Sequence, residues 1–328
     1  MNQIRASEGA PPSNPLSWKM YRIYLGIVII LPIIPIFVKS TYVIDLLILC
    51  NIYAIFLASW DLLAGYTGQL SLGHALFIGG GGYTAGVLSF YFGAPIWITI
   101  PAGGCVGAAL GYFLGAPCLR LRGPYLALAT FAAGVIAGGL TAVFWRYSGG
   151  EDGLYGIAPL TNSYIAKYYW SVGLMVVCSG FLLFLVNSQY GLILQSIRED
   201  EYAAEASGIN VAKYKLITFV MSGFLAGIAG AFYAHIQMHV GTDLLKVSFS
   251  ILIVLMSVAG GMGTIIGPIV AGYLLILLNE WLRVIEVVRL LIYSGSVVLI
   301  ILFIPKGIVP TIISSVEAFI NKIKLSSR

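Results

Sequence analysis

Long apolar runs separated by short polar stretches dominate the chain from residue 21 onward: 21–40, 42–63, 70–92, 96–116, 124–145, 168–186, 215–236, 247–260, 265–282 and 290–304. Most approach the ~20 residues that an α-helix needs to cross the hydrocarbon core of a bilayer. Such a core offers the backbone no hydrogen-bond partner, so each run must satisfy its amides internally, as a helix does. The pattern predicts an all-α polytopic membrane protein of about ten transmembrane helices, some of them broken or short. The first run carries Pro32 and Pro35, each of which removes a backbone donor, and the eighth ends at Gly260 and Gly261. The first run is also too long for the apolar part of a secretory signal, and no small-residue cleavage pattern follows it. Residues 1–20, polar and with Pro11, Pro12 and Pro15, read as a disordered cytoplasmic tail. Residues 21–305 read as the membrane domain and 306–328 as a basic cytoplasmic tail.

Composition agrees with lipid as the main solvent. Of the 328 residues 59% are hydrophobic and 9% charged, against about 25% charged in an ordinary soluble chain. With the amino terminus inside, the inner segments hold Arg5, Lys19, Arg22, Arg120, Arg122, Arg198, Lys213, Lys215, Lys306, Lys322, Lys324 and Arg328. The outer segments hold only Lys39, Arg146, Lys167, Lys246, Arg283 and Arg289. This bias obeys the positive-inside rule and, with an even number of crossings, puts both termini in the cytoplasm. Basic residues are scattered among loops, so no nucleic-acid-binding face is expected. Cys50, Cys105, Cys118 and Cys178 lie far apart in or beside apolar runs, without metal-ligand spacing, and neither metal nor cofactor is expected. Tyr42, Trp97, Tyr168, Tyr169, Trp170 and Trp281 fall near span ends and suit interfacial anchoring.

Within the spans, Gly103, Gly107, Gly111 and Gly115 recur every four residues, and Gly223 and Gly227 repeat the spacing. Small residues on one helical face let a second helix approach to backbone contact. The segment "GQLSLGHALF" puts Gln69, Ser71 and His74 at the inner end of the third span, followed by four glycines at 79–82 that include Gly79 and Gly80. Polar side chains in lipid are expensive unless paired or facing an aqueous cavity. Two readings stay open: a translocation pathway with the helix broken at the glycines, or interhelical hydrogen bonding with glycines for close packing. In the outer loop, "GGEDGLYGIAP" favours tight turns, and its Glu151 and Asp152 are either turn residues or a docking contact. His235, His239 and Asp243 have a spacing that suits a metal. They sit at the predicted outer end of the seventh span, and a solvated interface is expected there. Asp45, Asp61 and Glu280, near span ends, are expected to be paired or snorkelling.

One run departs from the rest. "SIREDEYAAEASGINVAKYK", residues 196–215, concentrates charge between two apolar spans on the predicted cytoplasmic side. Asp200 is a good N-cap, Glu201 complements the helix dipole, alanines follow, and Gly208 permits a left-handed stop. A helix of about two turns results, too short to stand alone in water. It must be held by a neighbouring helix and by something docked upon it, or else the run is an ordinary solvated loop.

This segment resembles the coupling segment of ATP-binding-cassette (ABC) importer permeases. "GYTGQLSLGHALFIGGGGYTAG" (65–86), "LRGPYLALATFA" (121–132), "SGGEDGLYGI" (148–157) and "AGGMGTIIGPIVAG" (259–272) resemble, in order and spacing, LivM-type permeases of branched-chain amino acid importers. The similarity spans roughly residues 40 to 305. It implies a permease subunit in a bacterial or archaeal plasma (inner) membrane, not an enzyme, pairing with a second related permease. Two ATPase subunits would grip the coupling segment 188–212 through Asp200, Glu201, Ala204, Glu205, Gly208 and Ile209. An extracytoplasmic solute-binding protein would dock at the outer face, where Glu151 and Asp152 lie. The implied solutes are leucine, isoleucine and valine, although similar permeases carry urea, short amides or other amino acids. The residues agree with a division of labour: no glycine-rich phosphate loop followed by Lys and Ser or Thr occurs, so an ATP-driven engine must be another chain. A proton- or ion-coupled carrier would need ionisable relays in mid-membrane, which are nearly absent. A passive channel for small solutes would have no use for the cytoplasmic knob, and no nucleophile, base and metal cluster points to an enzyme.

Overall fold

Where the chain stops being helical, the stop is written in its local chemistry. In the computed structural model, which describes residues 15–38, 40–118, 121, 123–284, 295, 298–299, 302–304 and 307–315, α1 runs over Pro15–Ile30. It begins on a proline, whose missing N–H is unneeded in a first turn. It therefore starts inside the segment expected to be a disordered tail. Pro32 and Pro35 convert its continuation into a 3-10 turn, Leu31–Ile33, and a short α2, Ile34–Phe37. Helix α3, Thr41–Thr67, ends at Gly68, whose φ of +71° is the left-handed conformation of a helix C-terminus. Then come α4 (His74–Phe92), α5 (Ile96–Cys118), α6 (Pro124–Val143) and the single turn α7 (Trp145–Ser148). After a two-residue strand β1 (Leu154–Tyr155) follow α8 (Tyr164–Val186), α9 (Gln189–Glu199), α10 (Glu201–Ala206) and α11 (Val211–Gln237). Strand β2 (His239–Val240), a 3-10 turn at Thr242–Leu245, α12 (Val247–Gly260), α13 (Ile266–Trp281) and a 3-10 turn at Leu282–Val284 follow.

Seven of the described helices are long and apolar enough to cross a membrane, and they coincide with the first seven apolar runs of the sequence. The eighth and ninth runs form helices of 14 and 16 residues. At 1.5 Å per residue these reach roughly 21 and 24 Å, less than the hydrocarbon thickness of about 30 Å. Most of the tenth run, 290–304, lies outside the described residues.

Helix α3 is the axis of the bundle. It is buried along most of its length, and α8, α11, α12 and α13 pack around it. Beside it α4, α5 and α11 form a block whose backbones touch. A Cβ placed on Gly81 would overlap the backbone of Gly227, one on Gly107 would overlap the Gly223 carbonyl, and one on Gly227 would overlap that of Gly103. The glycines at 79–82 therefore do not break the helix, contrary to one of the two expectations: α4 is continuous through them. What they lack in side chain is filled by neighbours, Leu245 at Gly79 and Leu110 at Gly80. By contrast α1 and α6 leave Ile29, Ile30, Leu128, Ile136 and Val143 exposed, as faces turned to lipid or to another membrane chain do.

Two features depart from the expected outline. Strands β1 and β2 pair antiparallel, Leu154 opposite Val240 and Tyr155 opposite His239, tying the outer loop to the end of α11. Residues 308–315, expected to belong to a cytoplasmic tail, are helical, and Val309 and Ile313 are buried in the main core. Gly307, at φ +88°, lies so close on Gly261 that a Cβ would overlap its backbone.

Candidate functional site

Residues 188–212, expected to be a coupling segment, form a helix–turn–helix clamped to the bundle. Ser188 caps α9, its hydroxyl accepting from the Tyr190 amide, and Leu194 and Ile197 bury one face of that helix. Asp200 ends α9 with an extended backbone and caps α10: its Oδ1 accepts from the amides of Tyr202 (2.9 Å) and Ala203 (3.1 Å). The short helix stops at Ser207, and Gly208 then takes a φ of +85°. Ala204 is buried in a small cluster with Ile197 and Val211, against which Ile209 packs. Glu201 pairs with Lys215 of α11 at 2.8 Å, and Lys215 is itself buried. The six residues assigned to ATPase coupling are thus divided between two faces. Ala204, Ile209 and Glu201 hold the knob to α9 and α11, while Asp200, Glu205 and Gly208 are exposed beside Tyr202, Ala203, Ala206 and Ser207.

Behind the knob lies a second arrangement that sequence reasoning missed. Arg198, in the last turn of α9, donates from Nη1 to the carbonyl of Gly65 near the end of α3. Asp61, wholly buried four residues earlier, accepts from the amides of Gly263 (2.7 Å), Thr264 (3.1 Å) and Ile265 (2.8 Å) in the turn before α13. Its expected pairing exists, but the donors are backbone groups from a segment over 200 positions away in the sequence. Nothing local in the sequence marks those donors. The apolar spacing of Tyr190, Ile193, Leu194 and Ile197 is, however, a signal that would have found α9.

Gln69, Ser71 and His74 are all buried at the junction of α3 and α4. The Ser71 carbonyl accepts from Trp60 Nε1 at 2.8 Å, and Thr67 Oγ1 lies 3.3 Å from Gln69 Oε1. His74 Nε2 lies 2.9 Å from Ser59 Oγ, which donates to the Phe56 carbonyl, so the imidazole is the donor of that pair. The other imidazole nitrogen, Nδ1, and the Gln69 amide nitrogen are buried without a protein partner.

At the far end of α11 the outer loop is shaped by four left-handed glycines, Gly149, Gly150, Gly153 and Gly156. The side chains of Glu151 and Asp152 are exposed, and their carbonyls accept from Thr242 Oγ1 and His239 Nε2. Lys246 pairs with Asp243 at 2.5 Å, and this carboxylate raises the lysine's pKa. His235 is not solvated as expected: it is fully buried, bonded through Nε2 to Thr99 Oγ1 (2.6 Å) and through Nδ1 to the Ala158 carbonyl (2.7 Å). His239 stacks on Tyr155 with ring centroids 4.1 Å apart. Among the described residues no group of three or more His, Cys, Asp or Glu side chains could hold a metal.

Comparisons with known proteins bear on the family of the chain. A sequence profile of the family described as branched-chain amino acid transport system / permease component matches residues 42–305. The high-affinity branched-chain amino acid transport system permease protein LivM of Escherichia coli K12 is 30% identical over 318 residues, covering 88% of this chain and 75% of its own. The same-named protein of Salmonella typhimurium LT2 is 30% identical over 303 residues, 84% of this chain and 71% of its own. A probable branched-chain amino acid transport permease protein LivH of Methanocaldococcus jannaschii is 26% identical over 210 residues, 60% of this chain and 65% of its own. With a family profile spanning most of the chain and this degree of identity, the protein belongs to the branched-chain amino acid transport permeases and is an ABC-transporter permease of the LivM type.

Proposed function

We propose that the chain is one half of the membrane channel of an ATP-driven importer for branched-chain amino acids. It would pair with a second, related permease, receive solute from an external binding protein at the face carrying Glu151 and Asp152, and be driven by two ATPase subunits. The observation that carries this reading is the knob itself: a helix of six residues, capped by Asp200 and held by the Glu201–Lys215 pair, with a row of exposed small and acidic side chains. A helix so short is stable only when its surroundings hold it. An exposed, rigid projection at one end of a lipid-facing bundle suits insertion into a cleft of another protein. Glu205, Gly208 and the N-terminal carboxylate of Asp200 form its outer rim; Ala204 and Ile209 form its root. Gln69, Ser71 and His74 are assigned to the pathway, where the unpartnered Gln69 amide and His74 Nδ1 would meet water or solute once the bundle opens. Asp61 and His74 are bonded to neighbouring helices, so a proton relay through them has no geometric support.

The test is reconstitution of the complete transporter in proteoliposomes with its binding protein and radiolabelled leucine. Uptake should require ATP, and a crosslinker placed at Glu205→Cys should capture the ATPase subunit. Leucine accumulation without any ATPase, or capture of no ATPase by position 205, overturns the reading.

A further inference from the structure

We propose that Arg198 is the positioning residue through which the knob moves the turn between α12 and α13, with Asp61 as the receiving group; this rests on the coupling role proposed above. Three helix ends meet at this place. The guanidinium sits at the C-terminal end of α3, where the Gly65 carbonyl is among the last acceptors without an intrahelical partner. The Asp61 carboxylate sits at the N-terminal end of α13 and takes the amides of Gly263, Thr264 and Ile265. Each charge therefore complements the helix dipole it faces. The residue that supplies the cation is two positions before Asp200, the cap of the knob, so a displacement of α10 is delivered to Arg198 with little slack.

Arg198, exposed towards the knob, and the buried Asp61 meet at the same two glycines. A Cβ on Gly263 would come within 2.6 Å of Arg198 Nη1, one on Gly68 within 3.4 Å of Arg198 Cγ, and one on Gly65 would overlap Asp61 Oδ1 and the Gly263 amide. Arg198 and Asp61 thus share Gly65 and Gly263 between them. The turn they bracket runs through left-handed backbone, which is strained at Ile265, its one non-glycine member. Gly261 and Gly263 have φ of +109° and +79°, and Ile265, a β-branched residue, has φ of +55°. Such a conformation persists only where its surroundings over-determine it, and here two of the three amides nearest the strain are fixed by Asp61 Oδ2. A cavity of about 140 Å³ adjoins the turn, lined by Tyr66, Asn187, Gln195, Gly263 and Thr264, and gives the turn space to move. In the proposal the turn uses this space to shift when the knob moves, and Arg198 sets whether it does. A lysine at 198 would keep the charge but lose the planar fork that fixes the direction of donation.

The experiment uses the complete transporter, wild type and Arg198→Gln, Arg198→Lys and Asp61→Asn, each purified as an intact complex. Leucine taken up per ATP hydrolysed should fall at least about fivefold in Arg198→Gln, the low end of measured coupling between sites, with partial recovery in Arg198→Lys. Independently of solute, amide hydrogen exchange of residues 261–265 should differ between nucleotide-free and ATP–vanadate wild-type complex, and Arg198→Gln should erase that difference. A merely structural role would lower complex yield while leaving the uptake ratio of the surviving complex unchanged, and that result overturns the proposal. So does a turn whose exchange ignores nucleotide in the wild type, or still responds in Arg198→Gln. If wild-type complex takes up no leucine, the importer reading fails on its own, and the exchange measurement still decides the node.

Discussion

Gly107 and Gly223 meet backbone to backbone, as do Gly81 and Gly227, so the block of α4, α5 and α11 closes to a distance that any side chain would prevent. In lipid, where neighbouring tails are as apolar as leucine, this close packing supplies attraction that burial alone does not. Gly227→Val should therefore destabilise the protein by about 3 kcal/mol or more, at or above the upper end for overfilled cores. Gly139→Ala, in open space on α6, should change stability by no more than about 1 kcal/mol, in the stabilising direction because alanine is the better helix former. Thermal unfolding midpoints of the two variants in one detergent check both. The spacing of these glycines was readable in the sequence, because residues four apart share a helical face whatever the helix packs against. Their partners were not, since nothing in a stripe of glycines says which other stripe it meets. Asp61 makes the same point: a buried acid had to have donors, yet the donors are the amides of a distant turn.

The α10 helix shows how much of an element can be local. Its cap, its first-turn acid, its alanines and its terminating glycine were all legible, and Asp200, Glu201 and Gly208 stand where those roles require. Asp200→Ala removes a carboxylate that serves two amides and should weaken the helix by about 0.5–2 kcal/mol. Because α10 has no length of its own to lose, this should appear as faster amide exchange over 201–206 in the isolated subunit, with Asp200→Asn close to wild type. Unchanged exchange in Asp200→Ala would mean that the Glu201–Lys215 pair and the Ile197–Ala204–Val211 cluster hold the helix without its cap. Helix α9 was less legible. Its apolar face is carried by four residues, Tyr190, Ile193, Leu194 and Ile197, a signal that was present in the sequence but short, spread over eight positions and bordered by charge. The β1–β2 pair was not legible at all, because two residues cannot carry a strand pattern and the pairing joins segments from opposite sides of α8, α9, α10 and α11.

At the scale of the molecule, α11 separates the knob from the outer loop by its own length of 27 residues, about 40 Å at the helical rise. The charge bias of the sequence assigns the knob to the cytoplasm. With Cys105, the exposed cysteine, replaced by serine, Ser207→Cys should react with a membrane-impermeant maleimide only in inverted vesicles, and Asn162→Cys only in intact cells. The opposite labelling would reverse the assigned orientation. The sequence by itself determined that the chain is a bundle of membrane helices, where seven of its long apolar helices lie, where the short acidic helix begins and ends, and the family to which it belongs. These follow from solvent and local backbone chemistry, which act on a segment whether or not its neighbours are present. Tertiary structure alone decided that the glycines at 79–82 pack and do not break α4, that His235 is buried, that residues 308–315 join the core, and that Arg198 and Asp61 bracket one turn. Each of these depends on which helix ends and faces are brought together, and a one-dimensional pattern of apolar positions leaves that choice open.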